Sequence, residues 1–244
     1  MKVFTKTDVG MTRSMNQDSL LVSDNNRNGL NLYILADGMG GYKGGEIASK
    51  VAITAVSKYI IEKFDEIPKD KQSILNLVED SIEFANSAIY EESEQDEELQ
   101  DMGTTLEVVL IYKNKVYIGH IGDSRIYRVR KNKMKKITTD HSYVEKLIQD
   151  GDITREEAYN HPKKNLLIKA LGTDEEACPD MIYTVLNKND VIVICSDGLT
   201  NMLREEEILE VVKEPNENCA DVLVEEANLA GGLDNITVIV IDNR

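Results

Sequence analysis

Apolar and polar positions recur along this chain with two different periods, and the switches between them divide it into blocks. Residues 3–9 and 19–22 read as short strands, separated by the polar stretch GMTRSMNQD. The run Leu32, Tyr33, Ile34, Leu35, Ala36 has the length of a buried strand and stops at Asp37-Gly38. Past Gly40, Gly41, Gly44 and Gly45 the period lengthens. Ile47, Val51 and Ala55 recur at helical spacing and predict a helix over 44–64. Ile74, Val78, Ile82, Ala85 and Ile89 mark a second helix, joined to the first near Pro68. From Gly103 the period returns to two, through TTLEVVLIY, KVYIGHIG, SRIYRVR and KMKKIT. Lys113-Asn114-Lys115 and Gly122-Asp123 both read as hairpin turns between these strands. Residues 24–29, DNNRNG, are a turn by composition. As a calcium loop they would put Leu35 where a bidentate Glu is needed, so the turn is preferred.

Residues 141–172 differ in character. They are polar and helical in pieces (SYVEKLIQDG, TREEAYN, NLLIKALG), set like a flap between strand-rich blocks. Strands follow at 181–186 and 191–196, helices at 205–212 and 220–230, and a last strand at 235–241. The acidic run 91–101 reads as a solvated helix end or loop. Antiparallel pairing with helices after each strand block predicts an α+β fold. It would be a four-layer α/β/β/α sandwich of two central antiparallel sheets flanked by helices, with a small helical flap. At 244 residues, one domain over 1–244 is expected.

Charge narrows the partners. With 44 acidic against 28 basic residues the net charge is −16, which repels nucleic acid and anionic membranes. Bound cations would neutralise part of that excess. Cys178, Cys195 and Cys219 lie far apart with no CxxC pair, so neither zinc nor a disulfide framework is indicated. No apolar signal segment or membrane-length run is present, and a cytoplasmic location is expected.

The chemistry sits where apolar runs meet carboxylates. Asp37-Gly38 follows one run and Asp197-Gly198 follows another, VIVICS; Asp234-Asn235 precedes the last strand. If the last two strands pair antiparallel, Asp197 and Asp234 become neighbours, and Asp37 can reach them from the other sheet. One Asp-Gly alone is most simply a turn. Three that converge cannot all stay ionised without cations between them. Oxygen-only ligands select magnesium or manganese, and two such ions form a clamp for phosphoryl hydrolysis.

Eight segments in register then resemble the metal-dependent phosphatases of the protein phosphatase 2C (PPM) family, bacterial type. They are TDVGxxRxxNQD (7–18), ADGMGGxxxGExAS (36–49), MGTT (102–105), HIGDSRIY (120–127), TxDHS (138–142), HPKKNLLIKALG (161–172), CSDGL (195–199) and DNITVIV (234–240). The resemblance implies a phosphoserine/phosphothreonine protein phosphatase that uses a bridging, metal-activated hydroxide and forms no phosphoenzyme. It implies that Asp37 bridges two metals, with the Gly38 carbonyl on the first. Asp197 and Asp234 would hold the second metal, Asp18 would hold a water on the first, and Asp123 would bind a third, weaker ion. Arg13 would bind phosphate, a role suited to its planar fork. Partners would be phosphorylated proteins and a cognate serine/threonine kinase, with the enzyme a monomer. Met39 stands where animal members have a proposed acid His, and Tyr42 where bacterial members often have one.

Rival readings fare worse. Asp150-Gly151-Asp152-Ile153-Thr154 fits the DxDxT motif of aspartyl-phosphate enzymes, but it follows a helical turn instead of a strand, so a helix end is expected. No cysteine stands in Cys-x5-Arg. His120, His141 and His161 are expected to make structural hydrogen bonds. A catalytically silent, phosphoprotein-binding relative would have lost the Asp ligands, and all are present.

Overall fold

The computed structural model describes residues 1–25, 29–40, 43–95 and 97–244. The tip of the 24–29 turn, Gly41, Tyr42 and Asp96 of the acidic run lie outside the described residues. Strands β1 (Lys2–Asp8), β2 (Asp18–Asn25) and β3 (Leu30–Met39) lead into helices α1 (Gly44–Lys63) and α2 (Lys71–Gln95). There follow β4 (Gly103–Thr104), β5 (Leu106–Tyr112), β6 (Lys115–Ile121), β7 (Arg125–Arg130) and β8 (Lys133–Lys136). Helices α3 (Tyr143–Asp150) and α4 (Arg155–Tyr159) come next, then β9 (Asp180–Val185) and β10 (Val191–Cys195). The chain closes with α5 (Asp197–Thr200), α6 (Glu205–Val212), α7 (Cys219–Leu229) and β11 (Ile236–Asp242).

One sheet runs β1-β11-β10-β7-β8 and the other β2-β3-β5-β6-β9, with β4 beside β3 and every pairing antiparallel. Period-two alternation on β3 explains the layering. Leu32, Ile34 and Ala36 pack against α1 and α2, whereas Tyr33 and Leu35 join Ile194, Ile239 and Ile241 between the sheets. On the far side Val193, Cys195, Val238 and Val240 pack under α6 and α7. The expected four layers are therefore present.

The turn at Gly122-Asp123 is not a hairpin. Strand β6 belongs to one sheet and β7 to the other, so these residues carry the chain across the sandwich. A Gly-rich turn has the same local chemistry in either role, and only the packing of each strand decides between them. Lys113-Asn114 does close a hairpin, with Lys113 at φ 58. Strand β3 also does not stop at Asp37. It runs two residues further, because Gly38 and Met39 pair with Thr104 and Gly103 of β4. The carboxylate of Asp197 opens the short helix α5 instead of ending a strand. On α1 the buried stripe is Ala48, Ala52, Ala55, Val56 and Ile60, with Ile47 and Val51 at its flank. Small residues win that face because the helix lies close on β3: a Cβ at Gly38 would stand 2.0 Å from the Gly45 carbonyl oxygen.

The flap is rooted at both ends. Ser142 pairs with Leu167 and Thr104 with Leu171, and the Ile168 amide donates to the His141 carbonyl at 2.8 Å. Asp150 ends α3 with Gly151 at φ 83 as its cap, and Thr154 caps α4 in a reciprocal box with Glu157. The DxDxT match is thus a helix end and a helix start, as expected.

Candidate active site

The carboxylates gather at one open end of the layer between the sheets. Asp37 shares the side-chain parity of Tyr33 and Leu35, so it faces the opposite sheet, and Asp18 lies directly across from it on β2. Asp197 and Asp234 come from the other sheet. Strands β10 and β11 pair antiparallel, and a Cβ at Gly198 would lie 3.5 Å from the Asp234 Cβ and 1.9 Å from the Asn235 carbonyl oxygen. Only a glycine lets those two backbones approach so closely. Asp123 arrives on the β6–β7 crossover. A single cleft is lined by Arg13, Asp37, Gly38, Met39, Asp123, Asp197 and Asp234, with Asn165, Leu166 and Leu167 of the flap along its edge. All the carboxylates assigned from sequence are brought together here except Asp18, which sits just behind, nearly buried.

Backbone clamps hold this arrangement. The Asp37 amide donates to Thr105 Oγ1 at 3.0 Å, and the Asp37 carbonyl accepts from the Thr105 amide and Thr104 Oγ1, each at 2.9 Å. Ser196 Oγ donates to Asp18 Oδ2 at 2.9 Å and accepts from the Thr237 amide, which ties β2 to β10 and β11. Asn201 Nδ2 donates to Asp197 Oδ2 at 2.9 Å. Asn235 is the most connected of the residues given no role from sequence. It accepts from the Gln17 amide and donates to the Val9 and Met15 carbonyls, pinning the loop that carries Arg13. A polar residue directly before a fully buried strand was the available signal for it. Arg13 itself donates to Asp234 Oδ2 at 2.9 Å and is otherwise exposed. An open ion pair of this kind contributes about 0–1 kcal/mol and is readily exchanged for another anion.

Electrostatics show strain without cations. Burial, and then the charge of Asp197, lifts Asp18 to about 6. Burial and the neighbouring Asp234 do the same to Asp197, also to about 6. Asp37 is raised well above the usual carboxylate range by burial and by the charges of Asp18, Asp197, Asp123 and Asp234. Asp123 is raised by burial and by Asp197 and Asp140, with Arg125 opposing.

The sequence profile of the family described as Protein phosphatase 2C matches residues 11–230. The chain belongs to the protein phosphatase 2C family. Protein phosphatase PhpP of Streptococcus pneumoniae is 39% identical over 99% of this chain and 97% of its own length. The S. agalactiae serine/threonine phosphatase structure superposes with a TM-score of 0.91 at 37% identity, covering 100% of this chain and 99% of that one. The catalytic domain of the serine/threonine protein phosphatase PstP, solved in complex with two manganese ions, gives 0.86 at 34% identity over 99% and 97% of the two chains.

Against this phosphatase family the cleft can be tested for ions. Among the described residues, no three His, Cys, Asp or Glu side chains form a finished cage. The donor set nevertheless fits. It is all oxygen, its members repel one another, and Asp18 Oδ1 is a buried acceptor with no hydrogen-bond partner. Oxygen donors suit a hard divalent cation, which would remove both the repulsion and the unpartnered acceptor.

His120 and His161 make hydrogen bonds of the structural kind expected of them. His120 Nδ1 meets Glu107 at 2.6 Å and its Nε2 donates to the Thr139 carbonyl at 2.8 Å, both side chains fully buried. Burial opposes the imidazolium, but Glu107 outweighs it and raises His120 to about 8. Half-buried His161 accepts from the Lys163 amide. The cysteines are free, with Cys178 exposed and Cys195 and Cys219 buried.

Proposed function

We propose that this chain hydrolyses phosphoserine and phosphothreonine esters in proteins, with two manganese or magnesium ions held in the carboxylate cleft. One observation carries the reading: Asp37 and Asp18 from one sheet meet Asp197 and Asp234 from the other beside an exposed arginine. Asp37, the Gly38 carbonyl, Asp197 and Asp234 would hold the two ions, with Asp37 common to both; Asp18 would orient a water on the first, and Asp123 would hold a weaker third ion. When bound, such ions activate a water for in-line attack and offset the charge of the phosphate. Arg13 lets go of Asp234 and grips two phosphate oxygens with its fork. Among the described residues the cleft is lined by no cysteine, serine or histidine, and with its carboxylates taken up by ions the attacking group would be water.

The cleft holds about 420 Å³ and is open on one side, which suits a phosphorylated side chain presented by a protein segment. Residues 141–172 border it and are the part of the domain, 1–244, best placed to sort phosphoprotein substrates, including those of a cognate kinase. Among the described residues no helix is long and apolar enough to cross a membrane. Hydrolysis of a phosphothreonine peptide, measured with manganese and then with excess chelator, tests the reading. Metal-dependent release of phosphate is expected, whereas chelator-resistant turnover would remove the ion assignment.

A further inference from the structure

The β6–β7 crossover is gripped by one imidazole. Gly122 donates its amide to His141 Nδ1 at 3.2 Å, and its carbonyl accepts the His141 amide at 2.7 Å. An amide N–H can only donate, so Nδ1 is the bare nitrogen and His141 is neutral with its proton on Nε2, 3.4 Å from Asp180. The ring lies against His120, centroids 4.6 Å apart and tilted by 31°, and is itself buried. Gly122 in turn presses on Thr105: at φ +113, a Cβ there would lie 2.5 Å from the Thr105 Cβ. Thr105 is the residue that clamps the Asp37 peptide, and its hydroxyl also meets Ser124 at 3.0 Å on the same crossover.

We infer that His141 is a positioning residue for Asp123, holding Gly122 at both its backbone groups and so fixing the crossover against Thr105 and Asp37. The inference rests on the phosphatase reading for its functional meaning. The same residue opens the flap, so flap root and carboxylate cluster share one fastening. Asp140 beside it adds a second tie, accepting from Arg125 Nε at 2.9 Å and Nη2 at 2.7 Å on the far end of the crossover. Thr138 Oγ1 adds a third by accepting the Ile126 amide.

The test separates hydrogen bonding from bulk. An asparagine places its oxygen near where Nδ1 stands and can accept from Gly122, whereas His141→Ala and His141→Leu cannot. In the chelated protein the Gly122 amide should exchange about tenfold faster in both of the latter, the worth of one net hydrogen bond, and His141→Asn should restore most of its protection. With manganese, His141→Ala should lower kcat for a phosphopeptide about tenfold, with KM for manganese raised and Asn rescuing both. Unchanged Gly122 exchange in His141→Ala overturns the inference, as does an Asn variant no better than Leu. If His141→Ala does not fold, the Asn–Leu comparison decides the matter alone. The exchange readout needs no turnover, so an inactive wild-type enzyme would count against the phosphatase reading and leave this one to be judged on Gly122.

Discussion

At the scale of single residues, Asp37 does the most with one side chain and one peptide. Its carboxylate faces four others, its N–H donates to Thr105 and its C=O accepts from Thr104 and Thr105. Asp37→Ala should therefore lower kcat by more than about a hundredfold, beyond what loss of an orienting partner costs, and should weaken manganese binding in calorimetry. Asp197→Ala and Asp234→Ala should behave alike, and full activity in any of the three would end the proposed chemistry. Met39 supports a different experiment. It lines the cleft on the strand after Asp37, and a thioether has no proton to give to a departing alkoxide. Rates over a series of aryl and alkyl phosphates should fall steeply as the leaving group becomes more basic. Met39→His should flatten that slope by speeding the alkyl members. An unchanged slope would show that position 39 does not face the leaving oxygen.

At the scale of elements, the sequence makes the strands and long helices legible because their periods are set by burial on one or two faces. Residues 205–212 match helix α6 at both ends, and α2 buries every apolar position assigned to it. The misreadings arise where local chemistry does not encode the partner. Gly122-Asp123 has turn residues whether the next strand pairs alongside or crosses to the other sheet, and only Thr105 beneath it shows why the glycine is required. The extension of β3 past Asp37 depends on β4, two residues long and some sixty residues distant in sequence. Asp37, Asp197 and Asp234 could be named from sequence because each stands next to a glycine or asparagine beside an apolar run, whereas Asp18 and Asp123 took their roles only from the family resemblance. Asn235 and Thr105 went without roles because the backbone groups that their side chains bind are brought near only by folding. Gly198 tests this level of organisation. In Gly198→Ala the new methyl would overlap the Asn235 carbonyl oxygen, so α5 must shift, at a cost of about 1–3 kcal/mol in urea unfolding. Manganese affinity should fall in step, since Asp197 moves with the helix. Loss of stability with affinity intact would mean that Asp197 does not ligate.

At the scale of the whole molecule, the cluster sets how stability depends on pH. Asp18 and Asp197 titrate at about 6, and Asp37 and Asp123 are also raised, against an ordinary value near 4. Between those values the folded chain keeps protons that the unfolded chain has lost, so stability falls as pH rises through that window. His141 works the other way. Burial lowers it to about 4, so its contribution is present above about 6.5 and is lost as pH falls toward 4, but it is one group against the four aspartates, to which Glu107, raised to about 7, and His120, raised to about 8, add in the same direction. Chelated protein should therefore melt at a higher temperature at pH 5 than at pH 7.5. Saturating manganese should raise the melting temperature more at pH 7.5, where no protons compete for the ligands. A flat profile in chelator would show that the carboxylates do not share this burden.

The two sheets each supply half of the cluster, and between them lies a dry interior of Tyr33, Leu35, Val109, Ile194, Ile239 and Ile241. The cleft is thus a caliper whose jaws are the sheets and whose hinge is that interior. Thinning the hinge should open the jaws. Ile239→Ala, which removes no charged group, should lower manganese affinity in calorimetry, whereas deletion of as many carbons from the buried face of α7, as in Leu223→Ala, should cost stability alone.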